Sequence, residues 1–147
     1  MNKMNKYEFF DKTADAKFKA YGYTIEESFK NALEAMTSIM FHIDDIENYE
    51  FDKEKREIIV EGANLETLLY NFLEEAIFLL SAESFVGLVE KIKIEELDEG
   101  YMLKATLIGT QSINFESTGE VKAVTYNEMH VKLNDSGLWE CQVVVDL

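Results

Sequence analysis

Proline is absent from the 147 residues, so no Pro-rich linker divides the chain. Cysteine occurs once, as Cys141, which excludes an intramolecular disulfide and fits a cytoplasmic setting. Arginine also occurs once, as Arg56, and 14 basic residues face 29 acidic ones for a net charge of −15. Gripping nucleic acid requires clustered Lys and Arg to displace counterions, so strong direct binding of RNA or DNA is not expected. The longest apolar stretch, residues 76–80, is far too short to cross a bilayer. The opening Met1-Asn-Lys-Met-Asn-Lys6 lacks the apolar core of a signal peptide.

Several chemical signatures are missing too. No Walker-type loop or Gly-x-Gly-x-x-Gly run marks an autonomous nucleotide site. No Gly-x-Ser-x-Gly elbow marks a serine nucleophile. The two histidines, His42 and His130, fall in no zinc-ligand spacing, and each reads as a surface or helix-end residue. Cys141 alternates with apolar residues, which suggests an inert core thiol.

What is present is a patterned chain of single-domain length, with 47% hydrophobic residues. Such a chain buries roughly 70% of its unfolded surface. Tyr7–Phe10 and residues 16–21 read as short strands flanking an Asp-rich turn. In the second, Ala16, Phe18 and Ala20 share one face and Lys17, Lys19 and Tyr21 the other. Thr24-Ile-Glu-Glu27 is a capping box opening a helix to about residue 41. The stripe of that helix, Ile25, Phe29, Ala32, Leu33, Met36, Ile39 and Met40, has core spacing. Residues 43–54 are acidic and loop-like, and Ile58-Ile-Val60 marks a strand.

Asn64 caps a second helix over residues 65–80, with an apolar stripe wide enough to be buried on more than one side or covered by another subunit. Beyond it, Phe85–Leu97, residues 101–108, 121–126, 129–133 and 138–145 read as strands, with 109–120 as an exposed loop. Asn134-Asp-Ser-Gly137 is a hairpin turn. No internal repeat is evident along the chain. The fold class is α+β: two amphipathic helices packed on a mostly antiparallel or mixed β-sheet, in a single domain covering residues 1–147.

One feature suggests chemistry. The last strand runs to Asp146, the penultimate residue, whereas chain ends usually fray. If strand pairing brings it to Asp15, at the close of Asp11-Lys-Thr-Ala-Asp15, carboxylates meet at one point. Such oxygens suit a hard divalent cation, Ca²⁺, Mg²⁺ or Mn²⁺. The terminal carboxylate of Leu147 joins them if the chain ends there. The bland alternative makes Asp11 a turn residue and Asp146 a solvated end.

Four segments then carry a resemblance. Tyr7-Glu-Phe-Phe-Asp-Lys-Thr-Ala-Asp15 followed by Phe18-Lys-Ala-Tyr-Gly22 is similar to the opening of archease proteins, with its His-Thr-Ala-Asp and Ala-Tyr-Gly pattern. Leu65-Glu-Thr-Leu-Leu-Tyr-Asn-Phe-Leu-Glu-Glu75 resembles the family's second helix. Lys122-Ala-Val-Thr-Tyr126 resembles its Lys-Ala-Val-Thr-Tyr-His signature, and Val144-Val-Asp-Leu147 its ending. The resemblance implies a non-catalytic partner of an RtcB-type RNA-splicing ligase, which promotes ligase guanylation and multiple turnover. It implies a divalent metal site at Asp15, Asp146 and Leu147, with Asp11 a further candidate. Lys12 and Asn127 stand where the family usually has His. Two readings from other classes compete: a hydrolase using carboxylate-held metal to activate water, and an acidic protein-binding or chaperone-like module without metal.

Overall fold

The computed structural model describes residues 4–10 and 15–147, so Asp11 and Lys12 lie outside the described residues. The alternating segments fold as strands β1 (Tyr7–Phe10), β2 (Asp15–Gly22), β3 (Glu54–Gly62), β4 (Phe85–Leu97), β5 (Gly100–Gln111), β6 (Ala123–Leu133) and β7 (Trp139–Asp146). The helices are α1 (Ile25–Met40), α2 (Ile43–Glu47) and α3 (Leu65–Glu83). The strands form two antiparallel sheets, ordered β1-β2-β7-β6 and β3-β5-β4.

Both long helices begin where their caps predict. Thr24 Oγ1 accepts from the Glu27 amide at 3.1 Å, and Glu27 Oε1 reaches back to the Tyr23 amide at 2.7 Å. Asn64 Oδ1 accepts from the Thr67 amide at 2.8 Å, satisfying an amide that the helix leaves open. Helix α1 packs on β2 and β7 of the first sheet and on β4 of the second; α3 packs on β3, β4 and β5 and on β6 of the first. The wide stripe of α3 is thus buried between two sheets, with Leu68, Leu69, Phe72 and Leu73 fully enclosed. Phe29 and Phe72 stack at 6.2 Å where the helices meet, and Met36 and Met40 are core residues.

Three local expectations change. The acidic segment after α1 holds a short helix, α2, because Ile46 buries against the core. Strand β5 runs on to Gln111, three residues beyond Ile108, where its pairing with β3 and β4 continues. The strand pieces on either side of residue 127 are one strand, β6, interrupted by a bulge and starting at Ala123.

A larger correction concerns repetition. The unit β3-α3-β4-β5 is a second copy of β2-α1-β6-β7, nested inside it, with equivalent strand orders β3-β5-β4 and β2-β7-β6. Residues forty apart do the same work. Gly22 and Gly62 each lie where a Cβ would meet the first turn of the next helix, 2.4 Å from the Ser28 amide nitrogen and 2.5 Å from that of Leu68. Asn31 Nδ2 donates to the Tyr21 carbonyl at 2.7 Å, and Asn71 Nδ2 to the Glu61 carbonyl at 2.8 Å. Glu26 accepts from the Ile94 amide on edge strand β4, and Glu66 from the Val131 amide on edge strand β6. Each helix therefore ties down the edge strand of the other unit.

Among the described residues, no helix is long and apolar enough to cross a membrane.

Candidate functional site

The pairing of β2 with β7 decides where the sequence-predicted carboxylates go. Its register sets Asp15 directly opposite Asp146, so both side chains leave the same face of the sheet. Directly opposed strand residues hold their Cβ atoms about 5 Å apart, and like charges there are destabilising. Asp15 is half-buried, whereas Asp146 is exposed. Strand β7 is central, so Asp146 is held from both sides: Ala123 of β6 lies opposite it, and its carbonyl accepts from the Lys122 amide at 2.8 Å. Pairing on both sides holds β7 in register up to Asp146. Leu147 follows outside the strand and is exposed.

Beside this pair β6 departs from regular pairing. Four residues, Tyr126 to Met129, stand opposite the single residue Val143, and Glu128 takes a left-handed backbone with φ 54°. Such bulges re-aim side chains and are frequent next to functional sites. This one is pinned from several directions. Thr125 Oγ1 donates to the Val144 carbonyl at 2.9 Å and accepts from the Asn127 amide at 3.2 Å. Gln142 Nε2 donates to the Glu128 carbonyl at 2.6 Å, and Lys17 Nζ reaches the Glu128 carboxylate at 3.3 Å.

The bulge presents Tyr126, 54% exposed, flat against Tyr70 of α3, with ring centroids 4.2 Å apart. Glu74, one turn along α3, accepts from the Val124 amide at 3.3 Å. Burial first, then the neighbouring Glu74 carboxylate, pushes the Tyr70 hydroxyl above its ordinary pKa. The second signature segment thus supplies a braced bulge opposite Val143, three residues along β7 from Asp146, and one ring of an aromatic pair with α3. Reading the sequence missed Tyr70, Glu74 and Glu128; the only available signal was the lapse of alternation at Tyr126-Asn-Glu128.

Farther along the same outer face lies a second polar cluster. His130 Nε2–H donates to Glu140 at 2.6 Å, Asn134 Nδ2 reaches the same carboxylate at 3.4 Å, and Lys19 lies 3.8 Å away. Burial raises the Glu140 carboxyl, but these hydrogen bonds and the Lys19 charge outweigh it and hold the group below its ordinary value. The other histidine, His42, is an exposed residue at the start of α2.

Oxygen ligands from Asp15 and Asp146 suit a hard cation better than a soft one. Among the described residues, no cluster of three or more His, Cys, Asp or Glu side chains has metal-holding geometry, so two carboxylates are what the described part of the site supplies.

Three comparisons bear on identity. Residues 7–147 match the model of the Archease protein family (MTH1598/TM1083). The chain is 36% identical over 146 residues to the protein archease of Pyrococcus abyssi, covering 98% of this chain and all of that one. It is 38% identical over 147 residues to the protein archease of Thermococcus kodakarensis, with the same coverage. The solution structure of Methanobacterium thermoautotrophicum protein 1598 superposes with a TM-score of 0.79 at 37% identity, covering 98% of this chain and all of that one. A family match over nearly the whole length, relatives of equal extent and a shared fold together place the chain: it belongs to the archease family.

Proposed function

We propose that this protein is an accessory factor for an RtcB-type RNA-splicing ligase, promoting guanylation of the ligase and its repeated turnover without catalysing ligation itself. The observation that carries this reading is the β2–β7 register, which retains two like charges directly opposite each other at a cost in stability. A divalent cation held by Asp15, Asp146 and Leu147, with Asp11 a further candidate, would turn that repulsion into attraction. When bound, it would supply a positive centre at an otherwise acidic edge, able to meet a phosphate or carboxylate of the partner. Water and main-chain oxygens would complete a shell of six or more ligands.

The residues around the pair have supporting roles. Lys17 is engaged by Glu128, which draws its charge toward the bulge. Tyr70 and Tyr126 offer a rigid exposed aromatic surface, the kind of group that anchors protein interfaces. The net charge of −15 favours a partner with a basic surface over direct contact with RNA. Help to the ligase requires this protein to bind one of the ligase's states more tightly than another.

The test is multiple-turnover RNA ligation by the RtcB-type ligase of the same organism, with GTP and Mn²⁺, with and without this protein. Product is expected to exceed one equivalent of ligase severalfold only in its presence. Asp15→Ala and Asp146→Ala are each expected to abolish the stimulation while keeping the fold. Stimulation at the wild-type level by both variants overturns the metal reading, and no stimulation of an active ligase overturns the accessory role.

A further inference from the structure

The nested repeat gives the molecule two equivalent ends, and only one of them carries the carboxylate pair. The position equivalent to Asp15 opposite Asp146 in the first unit is Lys55 opposite Ile108 in the second. The position equivalent to Tyr70 is Lys30, and that of Glu74 is Glu34. Glu74 ties its helix to β6 through the Val124 amide. Glu34 instead turns to Lys6 Nζ at 3.4 Å and to the Tyr7 hydroxyl. What opens there is a cleft of about 270 Å³, with a wall of Ile46, Leu88 and Ile108 and with Lys6, Lys30 and Lys53 around it.

The cleft gathers positive charge that the chain as a whole lacks, combined with an apolar wall. Three of the 14 basic residues of a −15 chain converge on one cleft. Glu34, which also lines it, is already neutralised by Lys6. No carboxylate of the described residues lies within salt-bridge distance of Lys30 or Lys53. Lys55 does not share this property, because Glu90 holds it at 3.1 Å. With Lys6 paired to Glu34, Lys30 and Lys53 against Glu47 leave the cleft one positive charge in excess, and lysine serves as a point-charge phosphate binder. The remaining acid, Glu47, accepts only and so favours a ligand that also carries hydroxyl or amino donors. The volume lies just under the usual range for small-molecule sites, which suits a compact ligand and excludes a dinucleotide.

We propose that the cleft between α1, α2 and the β4–β5 hairpin binds a small organic phosphate bearing hydroxyl groups, of the size of a pentose phosphate, through Lys30 and Lys53. The site is separate from the carboxylate pair. Lys6 accepts the backbone bond of Tyr21, six residues along β2 from Asp15, roughly 20 Å at ~3.3 Å per strand residue. The inference is independent of the ligase reading.

The experiment uses amide chemical shifts of the full chain titrated with ribose 5-phosphate, against ribose and against sodium chloride at matched ionic strength. Ribose 5-phosphate is expected to shift the amides of Lys30, Lys53, Leu88 and Ile108 saturably, leaving Asp15 and Asp146 unmoved. The exposed double variant Lys30→Gln, Lys53→Gln is expected to weaken binding about tenfold or more, whereas Lys55→Gln leaves it unchanged. Shifts that chloride reproduces, equal affinity in the double variant, or a response centred on Asp15 would each overturn the proposal. An amide spectrum unchanged outside the cleft keeps the variant result a statement about binding and not about folding.

Discussion

At the scale of single residues, three carboxylates of the first sheet show opposite cases, Glu140 held by partners and Asp15 and Asp146 repelling each other. Asp15 and Asp146 face each other without an intervening cation among the side chains described. In metal-free buffer, Asp15→Asn should therefore stabilise the fold, by about 0.2–1 kcal/mol for a directly opposed pair. With Ca²⁺ or Mn²⁺ in excess the order should invert, since a ligand bound only by the native state raises its melting temperature. Melting curves of wild type and variant in chelator and in cation check both halves; a cation response that survives in Asp15→Asn removes this residue from the site. Glu140 is the opposite case. Its folded pKa lies below the ordinary 4.5 because His130, Asn134 and Lys19 outweigh its burial. A depressed carboxyl gives stability that is fully present above about pH 4.5 and is lost as pH falls through the lower folded value. Glu140→Gln should cost roughly 1–2 kcal/mol at neutral pH and flatten that acid limb, which denaturant melts between pH 3 and 7 would read.

At the scale of elements, the long helices were legible because their signals are local. Capping residues, helical spacing and a turn-forming Asn-Asp-Ser-Gly segment act within a few residues of themselves, and the structure keeps each of them. Three features were illegible because they depend on partners distant in sequence. The β6 bulge is held by Gln142 and Lys17 from two other strands. The burial of Ile46 that makes α2 a helix needs the core formed first. The repeat is carried by few identical residues, because two units need the same contacts and not the same side chains: Thr24 and Asn64 cap alike, and Ile25 and Leu65 fill alike. Among the residues that recur, Gly22 and Gly62 allow the same close backbone approach, and Asn31 with Asn71 and Glu26 with Glu66 make the same side-chain-to-backbone bonds. Asn31→Ala and Asn71→Ala should each cost about 1–2 kcal/mol, since each leaves a strand-end carbonyl without its donor. Similar losses from the two, measured by chemical denaturation, would mark the contacts as equivalent; a loss from Asn31→Ala alone would show that the second unit does not rely on its copy.

At the scale of the whole molecule, the nested repeat raises the question of whether two units melt as one. The carboxylate pair was foreseeable because both aspartates sit at ends of strongly patterned strands. The lysine cleft was not, because Lys6, Lys30 and Lys53 are separated by long stretches of chain and meet only when the two units close on each other. The same closure predicts cooperativity: α1 and α3 each pack on both sheets, and Glu26 and Glu66 each bond the other unit's edge strand. Cys141 provides the probe. It lies in the first unit, fully buried, with Sγ 3.3 Å from Ser28 Oγ of α1, and burial pushes its thiol up to about 12. Alkylation requires the thiolate and access, so at pH 8 labelling should be slow in the native state and rapid in denaturant. Gly62→Ala lies in the second unit, where an added Cβ meets the Leu68 backbone, and should cost roughly 1–3 kcal/mol. If the two units unfold together, that loss should accelerate Cys141 labelling by about five- to a hundredfold, as the open population rises. If Gly62→Ala lowers stability by circular dichroism and leaves Cys141 labelling at the wild-type rate, the units open separately and the carboxylate site stands on its own half of the fold.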